Sequence, residues 1–168
     1  SYLVFRKLEQ NVRGFKEAEA RLAAALGLQG DDQERAGALV VGRFEDGAPV
    51  VLQEKDGLKN PIPNNFDYST DSNGDRCPLH AHIRKVNPRG DTVDAQAPEG
   101  ERQRQLTEER RHRIARRGIT YGERLKEPKD EPVMDELPTQ GVGLLFMCFQ
   151  SDIGNQFEFM QKRWANDT

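Results

Sequence analysis

The chain has 168 residues, enough for one domain, with 25 basic and 28 acidic side chains and a formal net charge of −3. This acidic balance argues against a nucleic-acid partner held by phosphate contacts. We expect neither a membrane span nor a secretory leader, because no apolar run is long enough and the first residues lack a basic segment and a cleavage pattern. Only 35% of the residues are hydrophobic and 32% are charged, so part of the chain should be long polar loop. The expected partners are therefore small molecules or protein.

The two cysteines, Cys77 and Cys148, are far apart and form neither a disulfide framework nor a CxxC metal-binding pair. A cytoplasmic location is the default expectation, with the reservation that any targeting segment would have been lost with an N-terminal part of the protein.

The first half of the chain predicts a strand followed by two helices. A short apolar-rich run from Leu3 to Leu8 indicates a strand already under way at the first residues. Residues 12–28 carry apolar side chains at steps of three and four, which predicts an amphipathic helix that Gly27 or Gly30 can end. Acidic residues at 31–34 then favour the start of a short helix that leads into residues 35–41. The following Asp46-Gly47 pair is a turn signal with flanks too short to establish a hairpin.

Residues 53–138 are dominated by charged residues, Asn, Gly and Pro, with apolar islands at 79–86 and 114–121. Residues 101–117 hold seven arginines and three glutamates, which favours a solvated polar segment leading into a strand. Residues 142–149 are apolar on both faces and predict a central strand, and Asp152 opens a helix over 153–164. This order predicts an α+β fold in which helices cover an antiparallel sheet.

The histidines are His80, His82 and His112. The spacing of His80 and His82 places their rings on opposite sides of a strand and far apart on a helix, which argues against both binding one ion. No cluster of further ligands supports zinc, whereas haem iron needs a single imidazole from the protein. Composition alone favours three ordinary, partly exposed histidines.

Residues 75–89 contain Cys-Pro, two further residues, Ala-His-Ile-Arg and then Asn-Pro-Arg, and this segment resembles the haem-ligand segment of dye-decolorizing peroxidases. Residues 112–122 and 143–164 are similar to later segments of that family in order and spacing, and residues 1–8 are similar to the strand that opens its C-terminal half. The resemblance covers nearly the whole chain. It implies a ferredoxin-like antiparallel sheet covered by helices, with long loops that cradle the haem.

Three residues carry the core of the chemistry that the resemblance implies. His82 matches the proximal ligand of the haem iron, and its second ring nitrogen would donate to a carboxylate. Asp152 is the candidate for that carboxylate, with helix capping as an alternative or coexisting role. Arg116 matches the distal arginine, whose charge would stabilise peroxide as its O–O bond breaks, and Arg117 is expected to point the other way.

Further residues are expected around the cofactor. Arg84 and Arg89 are candidates for the haem propionates, with exposed surface charges as the alternative. Leu145 and Phe146 are candidates for lining the haem face, with core packing as the alternative. His80 is expected near the site or at the surface, and His112 is expected to be structural.

The implied activity is a peroxidase that holds one haem b per chain, reduces hydrogen peroxide and oxidises bulky aromatic reductants through a high-valent iron-oxo intermediate. The family's Gly-x-x-Asp-Gly segment, whose aspartate moves protons, does not occur in these residues and belongs to an N-terminal half. We therefore expect a domain truncated at both ends, whose partner is the missing N-terminal half and whose isolated activity is weak or absent. A homo-oligomer remains open. The alternative function is a haem-binding or structural module that is not catalytic on its own.

Overall fold

The protein is described by a computed structural model that covers residues 1–57, 61–123 and 133–166. The strands are β1 (Tyr2–Glu9), β2 (Ala115–Arg116), β3 (Ile119–Tyr121) and β4 (Gly143–Gln150). The helices are α1 (Val12–Leu26), α2 (Glu34–Val41), α3 (His82–Val86) and α4 (Glu99–Arg111). Short 3₁₀ turns occupy Gly30–Gln33 and Met134–Glu136, and a C-terminal helix occupies Ile153–Glu158 and Met160–Ala165.

The sheet is antiparallel, and β4 lies at its centre in the described part of the chain. β1 pairs with β4 over its full length, from Tyr2 opposite Gln150 to Glu9 opposite Gly143. β2 and β3 lie along the other edge of β4 as one strand interrupted at residues 117–118. A side chain at Gly143 would meet the Leu8 carbonyl oxygen, so glycine permits this close approach of β1. The predicted α+β class and the central position of this apolar strand are both confirmed.

The helices of the first half follow the local sequence signals. The side chain of Asn11 caps α1 by accepting from the N–H of Gly14, and α1 ends at Gly27 in the left-handed conformation. α2 ends in the same way at Gly42, which packs tightly against Ile83 of α3. The predicted helices at 12–28 and 35–41 are therefore confirmed with shifts of a few residues.

The polar stretch from residue 53 to 138 has more structure than its composition predicts. One buried cluster, Val51, Phe66, Tyr68, Cys77 and Ala81, packs under Ile83 of α3. A second cluster, Ala38, Phe44, Ala48 and Val50, links α2 to the turn that follows it. α4 lies where the sequence indicated only a solvated segment. The parts of this stretch at 58–60 and 124–132 lie outside the described residues.

The C-terminal helix has the wider winding of a π-helix, in which backbone N–H groups bond to the carbonyl five residues earlier. The N–H of Phe159 donates to Gly154, and the N–H of Asn166 donates to Gln161. This winding brings Phe159 and Trp164 onto one side, with their rings edge to face at 5.5 Å. The predicted helix is present, but its packing face is set by a five-residue period that the sequence pattern did not indicate. Within the described residues, no helix is both long and apolar enough to cross a membrane.

Candidate functional site

His82 is the first residue of α3, and no hydrogen bond joins its ring to another residue in the described part of the chain. The Ala81 carbonyl accepts the first helical bonds, from the N–H groups of Arg84 and Lys85. Although His82 is among the exposed residues, loss of water around its ring, and then the charge of Arg116, lower the pKa of this imidazole. The ring is therefore neutral at neutral pH, which is the form that binds a metal.

Arg116 lies on β2 directly opposite Cys148 of β4, so the two side chains share a face of the sheet. The charge of Arg116 also acts on His82, whose imidazole pKa it helps to lower. The neighbouring Arg117 folds its guanidinium back and donates to the Arg116 carbonyl at 2.7 Å. The two adjacent arginines therefore have different surroundings.

Two further arginines, Arg43 and Arg89, share one acceptor and one aromatic ring. Each donates to Oδ1 of Asn64, at 2.9 Å from Arg43 and 2.8 Å from Arg89. Each also lies over the Phe66 ring, at 5.2 Å and 4.0 Å from its centroid. Arg89 donates in addition to the carbonyls of Asn64 and Phe66. These contacts hold both guanidinium groups in place without neutralising them.

The positive charges of this region act on one another. Burial, and then the charge of Arg116, lower the pKa of Arg43, although Tyr68 opposes this. The pKa of Arg89 is also lowered, first by burial and then, against Tyr68, by Arg43 and Arg113. In the described part of the chain no acidic side chain forms an ion pair with any member of this arginine cluster, Arg43, Arg89, Arg113 and Arg116. Such a cluster favours a bound anion with more than one acidic group.

Arg84 has a different role from the one predicted. All five of its N–H groups donate to acceptors within the chain. Two donate to the carboxylate oxygens of Asp91, at 2.5 and 3.0 Å. Two donate to Asp71, to Oδ2 at 3.0 Å and to the backbone carbonyl at 2.8 Å, and the fifth donates to the Cys77 carbonyl at 2.6 Å. The guanidinium also lies 4.3 Å from the centroid of the Tyr68 ring. No donor remains for a haem propionate, so the prediction of a propionate contact at Arg84 does not fit the structure, and neither does the alternative of a surface charge.

Asp152 caps the C-terminal helix, the role that the sequence left as the alternative. Its two carboxylate oxygens accept from the backbone N–H and the side-chain amide of Asn155, each at 2.9 Å. These two bonds, the backbone one first, lower the pKa of Asp152. No hydrogen bond joins Asp152 to His82 among the residues that the structure covers.

Leu145 and Phe146 lie on opposite faces of the sheet, because successive residues of a strand alternate. Phe146 is opposite Arg6 and packs against Phe157 with the ring centroids 6.1 Å apart. It shares the face of Arg116, whereas Leu145 is on the reverse face, opposite Ile119. The expectation that both residues line one face together therefore does not fit the alternation of the strand, and Phe146 is the one that shares a face with Arg116.

His112 joins the end of α4 to the C-terminal helix. Its Nδ1 lies 2.5 Å from the Asn155 carbonyl oxygen, and its ring stacks on Phe159 at 3.6 Å with Trp164 edge-on at 5.5 Å. The side-chain amide of Gln156 donates to the carbonyl of Arg113, so two bonds fix this junction just ahead of Arg116. His80 is exposed, and no group of three or more metal-ligating side chains occurs in the described ranges.

Arg43 and Arg113 are the site residues that sequence reasoning missed. Arg43 stands in a turn well before the haem-ligand segment, and only the fold brings it to Phe66 and Arg89. Arg113 lies inside the arginine-rich stretch of residues 101–117, where composition does not distinguish one arginine from another. The local excess of positive charge was the one feature of the sequence that could have pointed to Arg113, and by itself it favoured a solvated segment.

Comparison with known proteins agrees with the motifs. A family model described as Dyp-type peroxidase, C-terminal, matches residues 1–168. The multifunctional dye peroxidase DyP2 of an Amycolatopsis species is 56% identical over 167 residues, which are 99% of this chain and 34% of that protein. The dye-decolorizing peroxidase msp1 of Mycetinis scorodonius is 32% identical, over 100% of this chain and 32% of that protein.

Solved structures show the same similarity. DyP2 from Amycolatopsis superposes with a TM-score of 0.88 at 54% identity, covering 98% of this chain and 34% of that one. A DyP-type peroxidase from Anabaena gives a TM-score of 0.85 at 47% identity, covering 98% and 33%. The ferredoxin-like α+β fold expected from the motifs is that of these structures. The chain spans about a third of the length of the curated relatives that it matches.

Proposed function

The chain belongs to the Dyp-type peroxidase family, and we propose that it is the haem-binding part of a peroxidase that reduces hydrogen peroxide and oxidises bulky aromatic reductants. The observation that carries this proposal is the position of His82 as the exposed first residue of α3, without a hydrogen-bond partner for its ring in the described part of the chain, together with the charge of Arg116, which helps to lower the pKa of the imidazole. Family membership supports haem as the cofactor class, and haem b is the type that we propose.

The residues present fit this cofactor. A neutral imidazole is a suitable ligand for haem iron, and the arginine cluster offers guanidinium groups to a molecule with two carboxylates. When bound, haem would supply the redox-active iron at which peroxide is reduced. Arg89, already anchored by Asn64 and Phe66, is the best-placed propionate ligand, and Arg43 is the second.

The chain's own groups would divide the remaining work. His82 would hold the iron through one nitrogen, and Arg116 would stabilise negative charge on the bound peroxide oxygen with a charge that does not titrate. Phe146, on the face of Arg116, would exclude water from the pocket. The Asp152 carboxylate has about four acceptor sites and uses fewer in capping the helix, so capping is compatible with orienting the second ring nitrogen of His82.

The test is hemin binding by three forms of the purified chain. We expect the wild-type chain and His80→Ala to develop the same Soret band with added hemin, and His82→Ala to lose it. His80 is the matched control because it is an exposed histidine two positions away. If the His82→Ala spectrum equals that of the wild type, His82 is not the ligand and the proposal fails.

A second candidate function is a haem-binding module that is not catalytic by itself. The observation that favours it is that the Asp152 carboxylate bonds to Asn155 and not to His82 in the described part of the chain, so no carboxylate bond supports the imidazole there. The two candidates differ in one measurement: a chain that binds hemin through His82 but does not turn over peroxide with a dye supports the module. Turnover by the isolated chain well above that of free hemin supports the complete peroxidase site.

A further inference from the structure

Asp71 occupies the centre of a buried network that brackets His82 in the sequence. Its carboxylate accepts from the backbone N–H groups of Arg76 at 3.0 Å and Cys77 at 2.9 Å, at the start of the loop that leads into α3. The same carboxylate accepts from Arg84 at 3.0 Å, beyond His82 on α3. The Asp71 and Arg84 side chains are almost completely buried.

α3 depends on contacts with the rest of the chain, because it is not stable as a helix by itself. A helix of five residues is too short to be stable alone, and α3 begins without a side-chain cap. His82 lies between two points of the chain, Cys77 and Arg84, that are tied to the same carboxylate and to each other through the Cys77 carbonyl. Any movement of the Asp71 carboxylate therefore shifts both ends of the segment that carries the imidazole.

Stability alone does not account for this arrangement. Burying a carboxylate and a guanidinium costs desolvation, and apolar side chains of similar volume often stabilise a protein equally well. The network instead fixes the orientation of the groups that it joins, because the planar guanidinium and the carboxylate form hydrogen bonds only in certain orientations.

We propose that Asp71 is a positioning residue for His82, fixing the direction in which the imidazole leaves α3 and hence its bond to the haem iron. This inference rests on the proposed role of His82 as the iron ligand. It assigns to Asp71 no contact with the cofactor or the substrate.

The experiment uses the full-length polypeptide loaded with haem and compares Asp71→Asn with Asp91→Asn. Both variants remove one carboxylate from Arg84, but Asp91 has no bond to the loop at 76–77. We expect Asp71→Asn to bind hemin about tenfold more weakly and to show a second spin state of the iron in the Soret and electron paramagnetic resonance spectra. Asp91→Asn is expected to keep the wild-type spectra.

A lower melting temperature in Asp71→Asn with unchanged spectra and hemin affinity overturns the inference, because the network is then only structural. Equal spectral changes in both variants also overturn it, since the effect then belongs to Arg84. If Asp71→Asn does not fold, Asp71→Glu serves as the test, because it keeps the charge and displaces it by one methylene. A wild-type spectrum in Asp71→Glu would also overturn the inference. His82→Ala distinguishes failure of this inference from failure of the proposed function. If hemin binds equally well without His82, the proposed function itself fails.

Discussion

Arg116 supplies a fixed positive charge close enough to His82 to lower the pKa of that imidazole. Because this charge would stabilise peroxide during O–O cleavage, we expect Arg116→Leu in the full-length polypeptide to slow the reaction with peroxide by about a hundred- to a thousandfold. Haem content should stay near that of the wild type, because the arginine is not the iron ligand. Stopped-flow spectroscopy gives the rate, and the pyridine haemochromogen spectrum gives the haem content.

Arg117→Leu is the matched control for this measurement. The Arg117 guanidinium donates to a local backbone carbonyl, so its loss should leave the peroxide rate within a few-fold of wild type. A loss of haem in Arg116→Leu that equals the loss of rate would assign Arg116 to propionate binding or folding.

Arg84 should act on stability, since it is buried between two carboxylates. Its replacement by leucine leaves Asp71 without its counter-charge in the interior, and we expect a loss of about 3–5 kcal/mol in the free energy of unfolding. Arg111→Leu removes an exposed pair with Glu108 and should cost less than about 1 kcal/mol. Urea unfolding of the two variants measures both values, and similar costs would contradict a structural role for the buried network.

The same network should make stability depend on acid. Burial by itself raises the pKa of Asp71, but the N–H groups of Arg76 and Cys77 and the Arg84 charge outweigh it, so the pKa lies below its ordinary value. An aspartate in the unfolded chain has a pKa of about 3.9, so the stabilisation is complete above that pH and is lost as the pH falls through the lower native value.

We therefore expect unfolding free energies, measured from about pH 6 to about pH 2.5, to fall less steeply in Asp71→Asn than in the wild-type chain. Other carboxylates contribute to both slopes, so the difference between the two is the informative quantity. Identical slopes would show that the Asp71 pKa is not depressed in the folded state.

The sequence identified candidate site residues, but it did not show what surrounds each of them in the fold. The motif at 75–89 led to His82, and the resemblance of residues 112–122 to the family led to Arg116, whose charge lowers the pKa of the His82 imidazole. Arg84 belongs to the same motif and was misassigned, because the motif shows which residue is present and not whether its donors are already used. Five internal hydrogen bonds decide that point, and their acceptors lie on three separate turns of the chain.

At the scale of elements, the C-terminal helix depends on one histidine at the end of α4. The His112 ring packs against both Phe159 and Trp164, which the five-residue period of the helix places on one side. We expect His112→Ala to lower the free energy of unfolding by about 2 kcal/mol, from the lost ring contacts and the lost bond to Asn155. Trp164 is the single tryptophan of the sequence, so its fluorescence should shift to the red in this variant.

His80→Ala provides the comparison, because that side chain is exposed. It should change neither the stability nor the emission. Unchanged emission in His112→Ala would mean that the helix keeps its packing without the histidine.

Elements with a strong apolar signal were predictable, and polar elements were not. α1 follows a period of 3.6 and β4 is a continuous run that is apolar on both faces, and both were located from the sequence. α4 is polar on all sides, so no periodicity marks it, and its acidic first turn and basic last turn were the remaining signals. The π-winding of the C-terminal helix accompanies the packing of Phe159 and Trp164 against His112, a contact between distant parts of the sequence that a local pattern does not indicate.

At the scale of the whole molecule, the two faces of the sheet differ. Phe146 packs under Phe157 of the C-terminal helix, and Arg6 also lies against this ring, at 4.9 Å from its centroid. The pairing of the strands places a row of apolar residues on the reverse face, and they are about half exposed: Leu3 52%, Phe5 55%, Ile119 57% and Phe149 47%. Exposed apolar side chains grouped on one face in this way favour contact with another protein surface.

We expect the isolated chain to bury this reverse face against a second copy of itself. Phe5→Glu should then weaken self-association, because the charge would have to be desolvated in the contact. Tyr2→Glu is the control, since Tyr2 lies on the same strand with the same 55% exposure but faces the other way. Sedimentation velocity over a range of concentrations measures the association of the three proteins. A wild-type chain that stays monomeric throughout, or equal effects of the two substitutions, would show that this face does not drive association.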